Sequence, residues 1–262
     1  MSRVLRLRDR RGTDWFVKQH HDRGRYGAEV TAYRRWVPAL GDMAPRLHSC
    51  DNGLGAIVMS AVPGESAPWP ADTPTLRPGR QHAAEVALHR HAGVALRTLH
   101  LARPPRPWPD FGLAKADEFD RLAPLAGALL SATELAFARS QIRALSAITS
   151  AVKVPCHRDY TPRNWLVDDG TLAVIDFEWA CLDAAAGDLA RLHLAIWRGR
   201  PDLREAFLDG YGRQLDETDH VILRGCAALT AIWLIIKAHE TAQPSFEQAI
   251  KSALRYLMSD RT

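Results

Sequence analysis

Between Cys156 and Ala180 the chain reads CHRDYTPRNWLVDDGTLAVIDFEWA. Asp159, Asn164 and Asp176 within this stretch are the residue types that phosphoryl transfer needs: one carboxylate to accept a hydroxyl proton, and two oxygen ligands for a magnesium ion. The residues between them say how the three can meet. Trp165 to Val167 and Leu172 to Ile175 are short apolar runs flanking Asp168-Asp169-Gly170, a strong hairpin-turn signal. With Val167 opposite Leu172, antiparallel pairing puts Asn164 opposite Ile175, beside Asp176. Facing residues in such a ladder lie about 4.5–5.5 Å apart, so one divalent cation can bridge the Asn amide oxygen and the Asp carboxylate.

The pattern His-x-Asp-x-x-x-x-Asn, followed by an apolar hairpin and Ile175-Asp176-Phe177-Glu178, resembles the catalytic segment of the aminoglycoside phosphotransferase and choline kinase group, relatives of protein kinases. Protein kinases normally carry Asp-Phe-Gly where this chain has Asp-Phe-Glu, a departure that favours a small-molecule kinase. The resemblance implies an α+β, two-lobed, protein-kinase-like fold. It implies a nucleotide-binding lobe over residues 1–62, a hinge and linker over 63–78, and a helical lobe over 79–262 with the catalytic loop and acceptor site. It further implies that Asp159 orients and deprotonates the acceptor hydroxyl, and that Asn164 and Asp176 hold Mg2+. Lys18 would neutralise the phosphates of ATP or GTP with Glu29 behind it, and His157 would prop the catalytic loop. Asp188, in Ala186-Gly187-Asp188-Leu189-Ala190, matches the aspartate that braces that loop.

Composition bounds the remaining classes. At 262 residues, with 47% hydrophobic and 24% charged residues, the chain can bury a substantial core as one large domain or two small ones. No apolar run approaches the roughly 18–20 residues that span a bilayer, and Met1-Ser2-Arg3-Val4 lacks a secretory signal's apolar centre. A cytoplasmic protein with no membrane partner is expected. Cys50, Cys156, Cys181 and Cys226 are far apart, without Cys-x-x-Cys spacing, and read as core thiols. The net charge of +4 is graded: residues 1–65 carry 11 Lys/Arg against 7 Asp/Glu, residues 66–150 carry 10 against 7, and residues 151–262 carry 13 against 16. Arginines scattered among acids, with no aromatic-interleaved basic patch, argue against a nucleic-acid partner. A basic half that meets phosphates accounts for the gradient.

The positioning elements follow along the chain. Val4 to Arg8 and Trp15 to Gln19 read as two paired strands around the turn-rich segment 9–14. Glu29 begins a helical pattern that Pro38 stops. The group's small lobe has a further strand and phosphate loop before this hairpin. Here only three residues precede the first strand. Either the lobe is minimal, or residues 9–14 with Arg8, Arg10 and Arg11 act as a substitute lid, or the start lies upstream. A second hairpin is expected over Leu47 to Cys50 and Gly55 to Met59. Ser60-Ala61-Val62-Pro63-Gly64-Glu65 resembles the hinge whose backbone groups bind the purine, with Met59, Ser60 and Val62 at the nucleotide slot. Pro68, Pro70, Pro74 and Pro78 mark a linker. Helices are expected over 79–101, with Ala84, Leu88, Ala95 and Leu99 on one face and His100 in the core, then over 114–123, 132–149, 186–197, 203–215, 219–239 and 246–258. The apolar run Ala227 to Ile236 is a buried pillar.

These readings converge on a small-molecule kinase that moves the γ-phosphoryl group of ATP or GTP to a hydroxyl, with an antibiotic as the acceptor that the resemblance implies. The alternatives are a choline-like, sugar or nucleoside acceptor, or a catalytically weak nucleotide-binding module. Aminoglycosides are polycations and need acids around the acceptor hydroxyl, whereas the catalytic loop carries Arg158 and Arg163. Aminoglycoside is therefore a family-level label. Oligomeric state is not legible.

Overall fold

The computed structural model describes residues 2–68 and 79–259. The expected prolines 70, 74 and 78 of the linker lie outside them. In chain order the elements are β1 (Arg3–Arg8), β2 (Asp14–Gln19), α1 (Arg23–Arg35), β3 (Leu47–Asp51), β4 (Ala56–Ser60), β5 (Glu65–Ser66), α2 (Arg80–His100), β6 (Arg106–Pro107), α3 (Phe111–Ala126) and α4 (Ala132–Leu145). There follow β7 (Val152–Cys156), β8 (Trp165–Asp168), β9 (Thr171–Val174), β10 (Cys181–Asp183), α5 (Ala190–Leu192), α6 (Pro201–Tyr211), α7 (Glu217–Glu240) and α8 (Pro244–Ser259). The fold is α+β: a four-stranded antiparallel sheet near the start, small three-stranded antiparallel sheets built mainly from strands β7 to β10, and a largely helical remainder.

Packing divides the chain into two compact units, 1–105 with 154–183 and 202–214, and 106–153 with 184–201 and 215–262. This partition cuts across the sequence-contiguous lobes expected above.

In the first unit, β1, β2, β4 and β3 form a four-stranded antiparallel sheet in that order. Lys18 of β2 stands opposite Val4 of β1 and Ile57 of β4. Helix α1 starts six residues earlier than expected. Asp22 caps it by accepting from the Arg25 N–H at 2.9 Å, and Gly24 and Gly27 had diluted the helical pattern. Its buried side chains Tyr26, Glu29, Val30 and Tyr33 recur at helical spacing, which is how Glu29 comes to face β2.

The hairpin β8–β9 has the expected register, Val167 opposite Leu172, and the Ile175 N–H donates to the Asn164 carbonyl at 3.0 Å. Its turn takes left-handed conformations at Asp169 (φ 42°) and Gly170 (φ 79°), as a two-residue hairpin loop requires. Strand β5 adds to the other edge through Glu65–Val167 and Ser66–Leu166 pairs. Gly64 before it has φ 111°, and a Cβ there would lie 2.7 Å from the Val167 carbonyl oxygen, so only glycine allows this approach.

Helix α2 packs on α6 with the same economy: a Cβ on Gly93 would lie 2.1 Å from the Phe207 carbonyl oxygen. Ala95 and Leu99 are buried on α2 as expected, but Ala84 is exposed. His100 is a core residue, its Nδ1 2.7 Å from the Tyr211 hydroxyl.

The second unit is helical. α4 and α7 each begin with a reciprocal capping box, Ser131 with Glu134 and Asp216 with Asp219. α7 packs against α8 and α4 and close against α3. Contrary to the expectation from apolar runs, α7 is long and apolar enough by length and composition to cross a membrane. Yet 72% of that window is buried inside the protein, so it is the core pillar expected of Ala227 to Ile236. Asp188 is buried in this unit. Of the four cysteines, all thiols, only Cys156 and Cys226 are core residues; Cys50 is half-buried and Cys181 exposed.

Candidate active site

Most of the residues that sequence assigned to chemistry, though not Asn164, line one cavity of about 750 Å³ in the first unit, within the usual range for small-molecule sites. Lys18, Glu29, Met59, Ser60, Val62, Asp159 and Asp176 all line it.

Its centre is the Lys18 ammonium. It lies 2.9 Å from Glu29 Oε2, 2.6 Å from Asp176 Oδ1 and 3.2 Å from Glu178 Oε2. Burial alone would lower its pKa. The carboxylates of Glu29, Asp176 and Glu178 outweigh that and hold it above the ordinary lysine value, so it stays charged at any physiological pH. Arg25 also bridges Glu178, so these three carboxylates exceed their two cationic partners by one negative charge.

Glu178, the residue that distinguishes this segment from a protein kinase, ties the arrangement together. Its Oε2 accepts from the Ser2 hydroxyl at 2.5 Å and its Oε1 from Arg25 at 3.1 Å. Arg25 also lies over the Trp179 ring, 4.1 Å from its centroid. His20 Nε2 lies 2.7 Å from Glu29 Oε2. None of Ser2, His20, Arg25 or Glu178 was assigned to the site from sequence. Glu178 alone had left a signal, its departure from glycine.

The catalytic loop is fixed from several directions. The Asp159 N–H donates to His157 Nδ1 at 3.2 Å, which makes Nε2 the protonated nitrogen, and it faces the Ile175 carbonyl at 3.0 Å. The fully buried His157 thus joins the loop to the hairpin, as expected of a prop. The Tyr160 hydroxyl donates to the Ala92 carbonyl of α2 at 2.7 Å. Phe177 packs between His157 and Tyr33 of α1, with ring centroids 4.9 and 5.5 Å away. Arg158 and Asp176 both hold left-handed backbone, φ 67° and 68°, a conformation that costs about 1–3 kcal/mol and clusters at functional sites.

Asn164 and Asp176 sit at the same end of the hairpin. The Asn164 amide nitrogen donates to the Asp159 carbonyl at 2.8 Å, which ties the hairpin to the loop. The Asp159 carboxylate accepts from Arg163 at 2.9 Å. Arg158 turns elsewhere and pairs with Asp183 at 3.0 Å.

Met59, Ser60 and Val62 line the cavity together with the apolar side chains of Val4 and Phe16. One expectation changes here. The Ser60 N–H donates to the Arg46 carbonyl, its hydroxyl accepts from the Arg46 N–H, and the Ala61 N–H donates to the Asp14 carbonyl. Those amides complete the sheet and are not open to a purine.

The turn read as a substitute lid stands apart from the cavity. Arg8 stands opposite Asp14, whereas Lys18 stands opposite Val4. Four residues of strand, about 13 Å, separate the two ends, and the turn lies beyond Arg8. Arg8 and Arg6 are bound to Asp14, whose carboxyl they hold well below the ordinary range, and Asp9 caps the turn by accepting from the Arg11 and Thr13 N–H groups. Arg10 and Arg11 are exposed and do not line the cavity.

The model of a family described as phosphotransferase enzyme family (APH) matches residues 2–224. Among solved structures, the chain is similar to a choline/ethanolamine kinase family protein from Mesorhizobium loti, with TM-score 0.71 and 18% identity over 99% of this chain and 89% of that one. It is similar to APH(2")-IIia in a GDP and kanamycin complex, with TM-score 0.69 and 13% identity over 99% and 94%. It is also similar to the apoenzyme of macrolide 2'-phosphotransferase MphH from Brachybacterium faecium, with TM-score 0.62 and 18% identity over 97% and 88%. No curated protein matches the chain by sequence. At these identities the solved structures speak for the fold.

Proposed function

The chain belongs to the phosphotransferase enzyme family, and from that premise we propose that it transfers the γ-phosphoryl group of ATP or GTP to a hydroxyl of a small molecule, an antibiotic being the acceptor class we assign. The observation that carries this reading is the Lys18 ammonium shared by Glu29, Asp176 and Glu178 in the same cavity as Asp159.

In this reading residues 1–62 form the nucleotide-binding lobe, 63–78 the hinge and linker, and 79–262 the lobe with catalytic loop and acceptor site. The purine enters the cavity beside Met59, Ser60 and Val62, with Val62 offering backbone groups. Lys18 then exchanges part of its carboxylate shell for phosphate oxygens, and Glu29 keeps its ammonium aimed at them. The donor set fits magnesium: the Asn164 amide oxygen and the Asp176 carboxylate are the hard oxygens that this ion takes, with Glu178 close behind. When bound, the ion supplies positive charge to the phosphate oxygens of the nucleotide. Asp159 accepts the proton of the acceptor hydroxyl as that oxygen forms its bond to the γ-phosphorus. The bond from phosphorus to the bridging oxygen breaks, and its electron pair leaves with the nucleoside diphosphate. His157 and Tyr160 hold Asp159 in place through the loop. A cytoplasmic location fits the burial of α7.

The experiment is a screen of hydroxylated antibiotics and metabolites with magnesium and labelled ATP or GTP, followed by mass measurement of the acceptor. Gain of one phosphate supports the reading. Magnesium-dependent nucleotide binding with no transfer to any acceptor would favour the nucleotide-binding module instead.

The distance of the β1–β2 turn from Lys18 yields a further expectation. Changing Arg10 and Arg11 together to Ala should leave the nucleotide Michaelis constant within about twofold, as exposed substitutions away from packed or paired groups do. A rise of several-fold would return that turn to the phosphates.

A further inference from the structure

The chemistry proposed above leaves the acceptor open, and the charges around Asp159 narrow it. Among the described residues four carboxylates line the cavity: Glu29, Asp159, Asp176 and Glu178. Each is already engaged by one of three lining cations. Lys18 meets Glu29, Asp176 and Glu178; Arg25 meets Glu178; Arg163 meets Asp159. Asp159, the carboxylate that the acceptor hydroxyl has to reach, is thus shared with Arg163.

The two arginines of the catalytic loop, equivalent in the sequence, differ in space. Arg158 is paired with Asp183 and does not line the cavity. Arg163 lines it, with a side chain 57% exposed whose Nη2 lies 2.9 Å from Asp159 Oδ2. A guanidinium is permanently charged and carries five N–H donors, of which the Asp159 bond uses one. The hydroxyl to be phosphorylated has to reach Asp159, and so has to come next to Arg163. An ammonium beside that hydroxyl meets a like charge there, whereas a neutral or anionic group meets a donor.

We infer, on the footing of the kinase reading, that the acceptor carries no cationic group next to the hydroxyl it offers, and that Arg163 imposes this preference. The chain is then a phosphotransferase for neutral or anionic hydroxyl compounds and excludes polycations. Arg163 is the specificity residue.

The test is calorimetric titration of kanamycin, used as a polycationic probe, into the full chain with magnesium and a non-hydrolysable ATP analogue. Arg163→Glu should bind kanamycin at least about tenfold more tightly than the wild type, because it turns a repelling charge into an attracting one next to Asp159. Arg163→Ser should fall between them, and Arg163→Lys, which keeps the charge, should match the wild type. All four chains are checked for equal thermal unfolding, as expected for an exposed side chain. Kanamycin affinities within twofold in the wild type and Arg163→Glu, or no detectable binding in either, would overturn the inference; so would phosphate transfer to kanamycin by the wild type. The kinase reading fails separately, by absence of transfer to any acceptor while the affinity gain in Arg163→Glu persists.

Discussion

Asp159→Ala is expected to lower turnover by about 10²–10⁴, the usual worth of a positioned proton acceptor, while the affinity for magnesium nucleotide stays close to that of the parent. The reason lies in where the side chain reaches. Its backbone is held by His157, and the Asn164 amide bonds its carbonyl rather than its carboxylate, so truncation leaves the loop and the metal-side residues in place. Arg163 loses a partner but is exposed enough to be hydrated instead. Turnover and nucleotide binding, measured on the same preparation, decide the matter. More than about a third of wild-type turnover would take the proton-acceptor role away from Asp159.

The second large effect concerns Asp176. Asp176→Asn keeps the shape, and asparagine tolerates the left-handed backbone at φ 68° well, so the fold should be retained. What changes is charge. On the proposed reading the metal would lose an anionic oxygen, and Lys18 loses the nearest of its three carboxylates, though Glu29 and Glu178 still hold it. Catalytic efficiency should fall on the order of 10²-fold, with weaker nucleotide binding in magnesium and unchanged binding in chelator. An unaltered magnesium dependence would mean that the ion sits elsewhere.

Much of this site was legible because it is local. The Val167–Leu172 register follows from a two-residue turn and alternating side chains, and it alone brings Asn164 beside Ile175 and Asp176. The pairing of Lys18 with Glu29 was reached through resemblance, and the structure places the two in contact. What was missed is carried by long-range contacts or by backbone chemistry that side-chain types do not announce. Ser2 and Arg25 meet Glu178 across most of the first unit's chain length, and no spacing rule links them. Ser60 reads as a hinge residue, yet its N–H is spent on Arg46, a bond visible only once the sheet is assembled. Helix α1 begins at Arg23 because Asp22 caps it, although two early glycines weakened the pattern there. The difference between Arg158 and Arg163 depends on a left-handed backbone at Arg158, which turns that side chain to Asp183. Cys181 was read as a core thiol, but it begins a short strand whose side chain faces solvent.

The central claim is that the cavity around Lys18 takes a metal nucleotide next to Asp159. A crystal structure with a non-hydrolysable ATP analogue and manganese in place of magnesium tests it most directly, since manganese reveals itself by anomalous scattering. The account predicts a manganese peak bound by the Asn164 amide oxygen and the Asp176 carboxylate, phosphates on Lys18 and the purine beside Val62. A metal held by other residues, or a nucleotide bound outside this cavity, would contradict it.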